Sequence, residues 1–377
     1  MLLFNARLIG LSIAGLAVSG IALAQEGKNV TTGAETAKLG GEFRSELIYS
    51  DNGLMKKKGS DPEATTGIGV SAVNIKLDGK VNPATDYSFR FNLLGTGVLG
   101  PVEIAYGKHW FTNSIGFSIG RQTVLQGGFD NIDGGYKSHA TGIYADNMSF
   151  NPNEDMIALH LKVAGEITLQ IVNDRYVDGP GRMGAANWNT GRHQTFVAGW
   201  RGNFGTVTPM LNIGSYDNNK SRWMDLGIKT SMAGLDASLD IYQNTFTNKV
   251  TVGKKNEEPQ DVATSITLNL AYNIAKTATP FLYFSTYDAK QADDSKLGLK
   301  DRKTNSYATD ADGNLTGGMN WDDNGVVWAI GTDLHMMGNG WSPFFALVNR
   351  SGKWEDSAGK EETKSEMMIK LGAHAEI

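Results

Sequence analysis

From residue 39 onward, nearly every apolar run in this chain has a period of two. Ile266, Leu268, Leu270, Tyr272 and Ile274 share one face, and Ser265, Thr267, Asn269, Ala271 and Asn273 share the other. Strict alternation is the mark of a strand with one apolar and one polar side, because successive side chains on a pleated backbone point opposite ways. The same division appears at Leu235, Ala237, Leu239 and Ile241 against Asp236, Ser238 and Asp240, and at Tyr87, Phe89 and Phe91 against Ser88, Arg90 and Asn92. No segment of the mature region repeats convincingly at helical spacing. The pattern predicts sixteen strands, at 39–50, 67–80, 86–94, 102–111, 115–122, 156–163, 167–175 and 192–201 in the first half. The second half supplies 204–214, 222–232, 235–245, 262–274, 279–288, 324–336, 341–350 and 364–377. The count treats Ala145 to Phe150 as loop; a strand there would change the parity of everything downstream.

The connections between these strands alternate in length. Short turns fall at Asn82-Pro83-Ala84, Thr112-Asn113-Ser114, Ala164-Gly165-Glu166, Gly202-Asn203, Ala233-Gly234, Ala275-Lys276-Thr277 and Gly338-Asn339-Gly340. Long polar loops lie between them, near 51–66, 123–155, 176–191, 246–261, 289–323 and 351–363, with middling ones near 95–101 and 215–221. A sandwich has no reason to sort its loops this way, whereas a barrel with two unlike rims does. The expected fold class is therefore all-β: a transmembrane antiparallel β-barrel of about 16 strands, closed because unpaired edge amides cannot be left in hydrocarbon. Mid-strand charges at Arg44, Lys76, Arg90, Lys162, Arg201, Asp225, Lys229, Asp236, Asp240 and Asp333 fit a polar lumen. Tyr49, Tyr87, Trp200, Trp223, Tyr272 and Trp341 are candidates for interfacial girdles. Pro209 calls for a bulge, and Pro280 sits close to a turn.

Composition narrows the chemistry. The 377 residues include 46 Gly, 9 Pro and no Cys, so there is no disulfide framework, thiolate metal site or cysteine nucleophile. A net charge of -5 argues against a nucleic-acid partner. Mean hydropathy is -0.28, and nothing after the first residues could span a bilayer as a helix. Residues 1–24 read as a cleaved signal peptide, with Arg7, an apolar run from Leu8 to Val18 and Ala22-Leu23-Ala24 before Gln25. Export and a single barrel domain over 25–377 are expected. His160, His335 and His374 fall on lumen positions, but no nucleophile elbow or paired-histidine spacing accompanies them. Asp310-Ala311-Asp312-Gly313-Asn314 is turn chemistry rather than a calcium loop. No enzyme activity, cofactor or metal is expected.

One stretch stands apart. The strand Ile115 to Gln122 empties into a glycine- and aspartate-rich loop, Gln126-Gly-Gly-Phe-Asp-Asn-Ile-Asp-Gly-Gly-Tyr136, which the alternation places on the long-loop rim. An excursion of about thirty residues is unusual without a task, and polar backbone at membrane depth must line water or be buried in protein. The loop is expected to fold into the lumen. Glu103-Ile-Ala-Tyr106, the turn at Asn113 and Ile115-Gly-Phe-Ser-Ile-Gly-Arg-Gln122 resemble the strand–turn–strand Gly-Arg-Gln pattern of the trimeric Gram-negative general porins, over roughly 102–133. Those porins usually end in an aromatic residue, whereas this chain ends Ala375-Glu376-Ile377. The resemblance implies an outer-membrane homotrimer, embedded in lipid and lipopolysaccharide, that passes small hydrophilic solutes and ions by passive diffusion. It also implies a third loop that presents carboxylates to a basic wall, with Arg121 at the motif position. The alternation itself puts Arg44, Lys76 and Arg90 on the inner side of neighbouring strands, and the loop offers Asp130, Asp133, Asp146, Glu154 and Asp155. Opposed charges of this kind would set up a transverse field across the pore. A sugar- or anion-specific porin and an occluded adhesive barrel are the competing readings.

Overall fold

The computed structural model describes residues 36–51, 64–94, 102–132, 153–174, 193–216, 221–247, 250–252, 255–257, 260–275, 277–290, 324–335, 341–355 and 361–376. The first strands are β1 (Thr36–Ser50), β2 (Thr65–Asn82), β3 (Thr85–Asn92), β4 (Val102–Trp110) and β5 (Ile115–Thr123), followed by a five-residue helix, α1 (Gly128–Ile132). Next come β6 (Asn153–Lys162), β7 (Glu166–Asp174), β8 (His193–Arg201), β9 (Val207–Tyr216), β10 (Ser221–Met232) and β11 (Leu235–Thr247). A small hairpin, β12 (Val250–Val252) with β13 (Lys255–Glu257), precedes β14 (Gln260–Tyr272) and β15 (Ala278–Lys290). The chain finishes with β16 (Asn324–Leu334), β17 (Trp341–Glu355) and β18 (Glu361–Glu376).

Sixteen of these strands form one closed antiparallel barrel, in which each pairs with its neighbour in sequence and β1 closes on β18. Closure leaves no edge, so every wall strand has a partner on both sides. The short connections use turn geometry matched to strand twist: Ala164-Gly165 and Ala233-Gly234 have positive φ at both residues. β5 pairs directly with β6, so the count of sixteen does not draw on 145–150, which lie outside the described residues.

The two faces differ as the alternation requires. Ile68, Ile119, Ile157, Leu169, Ile171, Phe196, Ile213, Leu226, Ile228, Leu239, Ile241, Ile266, Leu282, Ile330 and Leu371 are all exposed on the outside. So continuous an apolar exterior suits hydrocarbon rather than water. All ten mid-strand charges assigned to the lumen share the inner face: Asp225, Asp240 and Asp333 are buried there among Asn212, Asn244 and Ser265.

Four details depart from expectation. The loop near 246–261 contains the β12–β13 hairpin, whose three-residue strands are too short to show a period. β17 and β18 run on to Glu355 and back to Glu361, leaving little of the 351–363 loop. Pro209 causes no register shift; its carbonyl accepts from the Gly202 N–H at 2.9 Å, where β8 has just ended, so its missing donor interrupts no ladder. The irregularities lie instead on the first strands, at Arg44/Ser45, Lys80/Asn82 and Arg90/Phe91. Trp223, expected in a girdle, is buried on the inner face with Asp225, while Tyr49 and Tyr272 are exposed outside.

Candidate functional site

After Thr123 the chain turns into the barrel. Gln170 of β7 holds the point of departure from both ends of its amide: its Nε2 donates to the Thr123 carbonyl at 2.9 Å and its Oε1 accepts from the Leu125 N–H at 3.1 Å. Gln126 Nε2 then donates to the Tyr242 hydroxyl of β11 at 2.8 Å. The start of α1 is gripped by two wall carboxylates, with Gly128 N–H donating to Asp225 Oδ2 at 3.3 Å and Phe129 N–H to Asp240 Oδ1 at 2.9 Å. Segment 124–132 therefore leaves β5 and docks five and six strands further round, on β10 and β11. It is a chord across the lumen.

The local sequence makes this docking possible. Gly128 has φ +71°, and a Cβ there would lie 2.6 Å from the Asp240 carboxyl carbon. Only glycine fits both conditions. Gly227 of β10 clears the opposite surface, since a Cβ there would come within 2.9 Å of the Phe129 ring. That ring is buried, with the Arg201 guanidinium 5.1 Å and the Lys229 ammonium 5.8 Å from its centroid, both within cation–π range.

A second group of charges lines the inner face of β1 to β4. Glu42 is buried and is shared: Lys76 Nζ lies 3.4 Å and Arg90 Nη2 3.5 Å from its Oε2, and Asn74 Nδ2 donates to the same oxygen at 3.1 Å. Arg90 Nε reaches Glu103 at 2.9 Å, Lys370 of β18 lies 3.9 Å from Glu46, and the Arg44 guanidinium sits 5.4 Å from the Phe344 ring centre. Arg44, Lys76 and Arg90 thus share the lumen side as the alternation predicts, and the carboxylates described beside Lys76 and Arg90, Glu42 and Glu103, belong to the wall.

Two expected site residues lie on the other face. Arg121 alternates with Ser118 and Gln122, which are buried inside, and it shares the outer side with Ile119. There it pairs with Asp155, Nε to Oδ1 at 3.0 Å, and Nη1 donates to the Val102 carbonyl at 2.9 Å. Arg121 and Asp155 are therefore not constriction residues. Their directly opposed positions in the β5–β6 ladder make them an ion pair on the barrel's exterior. Glu154 does face inward and is buried, but it belongs to strand β6 rather than to the loop. The side chain of Asp130, and all of Asp133 and Asp146, lie outside the described residues. The acids that sequence reasoning missed as loop partners are Asp225 and Asp240.

The lumen is unevenly filled. Tyr283 of β15, Val327 and Ala329 of β16 and Ala346 and Val348 of β17 are inward-facing yet 0% exposed, with Phe281, Tyr287 and Phe344 nearly as buried. This arc faces packed protein. The inner face of β2 and β3 is different, with side chains of Lys76, Lys80 and Asp86 accessible at 34%, 51% and 39%. Near the short-turn rim, Ser118 Oγ lies 2.8 Å from His160 Nε2, and His160 Nδ1 lies 2.9 Å from Glu166 Oε1. The order resembles a nucleophilic triad, but Ser118 is fully buried and also bonds Gln122 at 2.7 Å. The string of bonds links Glu166 at the rim to Gln122, beside the root of the inserted segment.

No protein-family sequence model matches the chain, and no curated protein matches it either. Solved structures do. The outer-membrane OmpT of Vibrio cholerae is similar with a TM-score of 0.58 at 12% identity, over 93% of this chain and 100% of that one. An anion-selective porin from Comamonas acidovorans gives 0.59 at 11%, over 91% and 99%, and the outer-membrane channel DcaP of Acinetobacter baumannii 0.59 at 13%, over 93% and 99%. The fold is the one porins use.

Proposed function

We propose that this chain is an outer-membrane porin: a water-filled channel through which small hydrophilic solutes and ions diffuse passively. The observation that carries the reading is the segment 124–132, drawn into the lumen of a barrel that is apolar outside and charged inside. A chord of chain narrows the bore, and the packed arc on β15 to β17 removes part of what remains. Water is left the charged side, along β1 to β4. An eccentric, charge-lined path of this kind filters solutes by size and by the local field. The reading includes export after loss of residues 1–24, residence in the Gram-negative outer membrane among lipid and lipopolysaccharide, and assembly as a homotrimer. It needs no cofactor and assigns the Ser118–His160–Glu166 string no catalytic step.

Burial of the middle of the β15–β17 inner face also favours a second reading, in which the barrel is occluded and acts through its outer loops. Planar-bilayer recording of the purified protein separates the two. The porin reading expects discrete current steps at constant voltage, larger with small ions than with organic ions of sugar size. Protein that inserts into the bilayer but gives no steps would sink it.

A further inference from the structure

Resting on the channel reading, we infer that Glu42 of β1 sets the ion preference of the pore. The inference comes from where the counter-charge sits. Lys76 and Arg90 stand on the inner face of β2 and β3, Lys76 with a third of its side chain accessible, and one oxygen of Glu42 lies within 3.5 Å of both. Glu42 itself is buried behind them, held by Asn74 Nδ2 at 3.1 Å. It touches little water, so ions in the path do not meet it directly. Its effect on them is to cancel charge that they do meet. In a confined lumen, where low-dielectric walls focus the field, one uncompensated charge beside the path changes the relative concentrations of the two ion signs severalfold. Arg90 also has Glu103 at 2.9 Å, whereas the acid beside Lys76 is Glu42, at 3.4 Å. Lys76 is therefore the cation that Glu42 controls. The preference is tuned from the wall, on β1, and not from the inserted segment, whose described contacts to carboxylates run the other way, from its backbone N–H groups to Asp225 and Asp240.

The test is the zero-current potential across a bilayer in a potassium chloride gradient. Glu42→Gln keeps the shape and an acceptor for Asn74 while removing the charge, and the chloride-to-potassium permeability ratio should rise about threefold or more. Lys76→Gln should move the ratio toward potassium. The double variant Glu42→Gln/Lys76→Gln, charge-balanced, should return close to the wild-type value. An unmoved ratio in Glu42→Gln, or in Lys76→Gln should the first variant fail to assemble, overturns the inference while leaving the channel reading intact. A wild-type protein without current steps would instead remove the reading on which the inference rests.

Discussion

At the scale of single residues, the pair Arg121–Asp155 shows what alternation can and cannot overrule. Phe117, Ile119 and Arg121 occupy one parity of β5, and Gly116, Ser118 and Gln122 the other. The position of Arg121 on the outer face was thus legible from its own neighbours; the Gly-Arg-Gln resemblance pointed inward and is corrected by them. Trp223 tells the same story, since it shares parity with Asp225 and Lys229, and inward charge is a better guide to its side than aromatic character. Because Arg121 lies outside the pore, Arg121→Ala should leave single-channel conductance and ion preference within about a tenth of wild type, as expected for a charge separated from the lumen by the wall. A severalfold change in either would return Arg121 to the constriction.

At the scale of elements, the strands were legible and the anchorage of the inserted segment was not. Period two sufficed for the sixteen wall strands, since one face is apolar throughout and a one-residue slip would invert it. The bonds that hold segment 124–132 join positions 97 and 111 residues apart, Gly128 to Asp225 and Phe129 to Asp240. Sequence shows Asp225 and Asp240 only as lumen acids; nothing local says that they receive backbone N–H groups from a distant loop. The glycine-rich composition of that loop was legible, and Gly127 and Gly128 use it, with φ of 81° and 71°. Asp240→Ala leaves the buried Phe129 N–H without its acceptor, at a cost of about 1–3 kcal/mol to the docked state. The barrel should still form, with heat-resistant migration on gels unchanged, while open-channel current noise increases as the segment loosens. Traces as quiet as wild type would mean that Asp240 does not hold the segment.

At the scale of the whole molecule, the barrel combines an exterior that hydrocarbon can solvate with an interior that is packed along one arc and charged along another. The apolar inner arc of β15 to β17 was present in the sequence, as Val327-Ala329-Gly331 opposite Val326-Trp328-Ile330, and Asp333, at the parity of Val327 and Ala329, marks that side as the lumen. What the sequence does not show is that this inner face is packed: Val327 and Ala329 are fully buried while Ile330 is exposed outside. The central claim is that water passes along β1 to β4 and not along β15 to β17. The chain has no cysteine of its own, so single thiols can be placed without background. The decisive measurement is channel current before and after a negatively charged, water-soluble methanethiosulfonate reagent, on Lys76→Cys and Val348→Cys. The reagent should change the current through Lys76→Cys and leave Val348→Cys unmodified. Rapid modification at Val348 with none at Lys76 would put the water on the wrong side of the barrel and contradict the account.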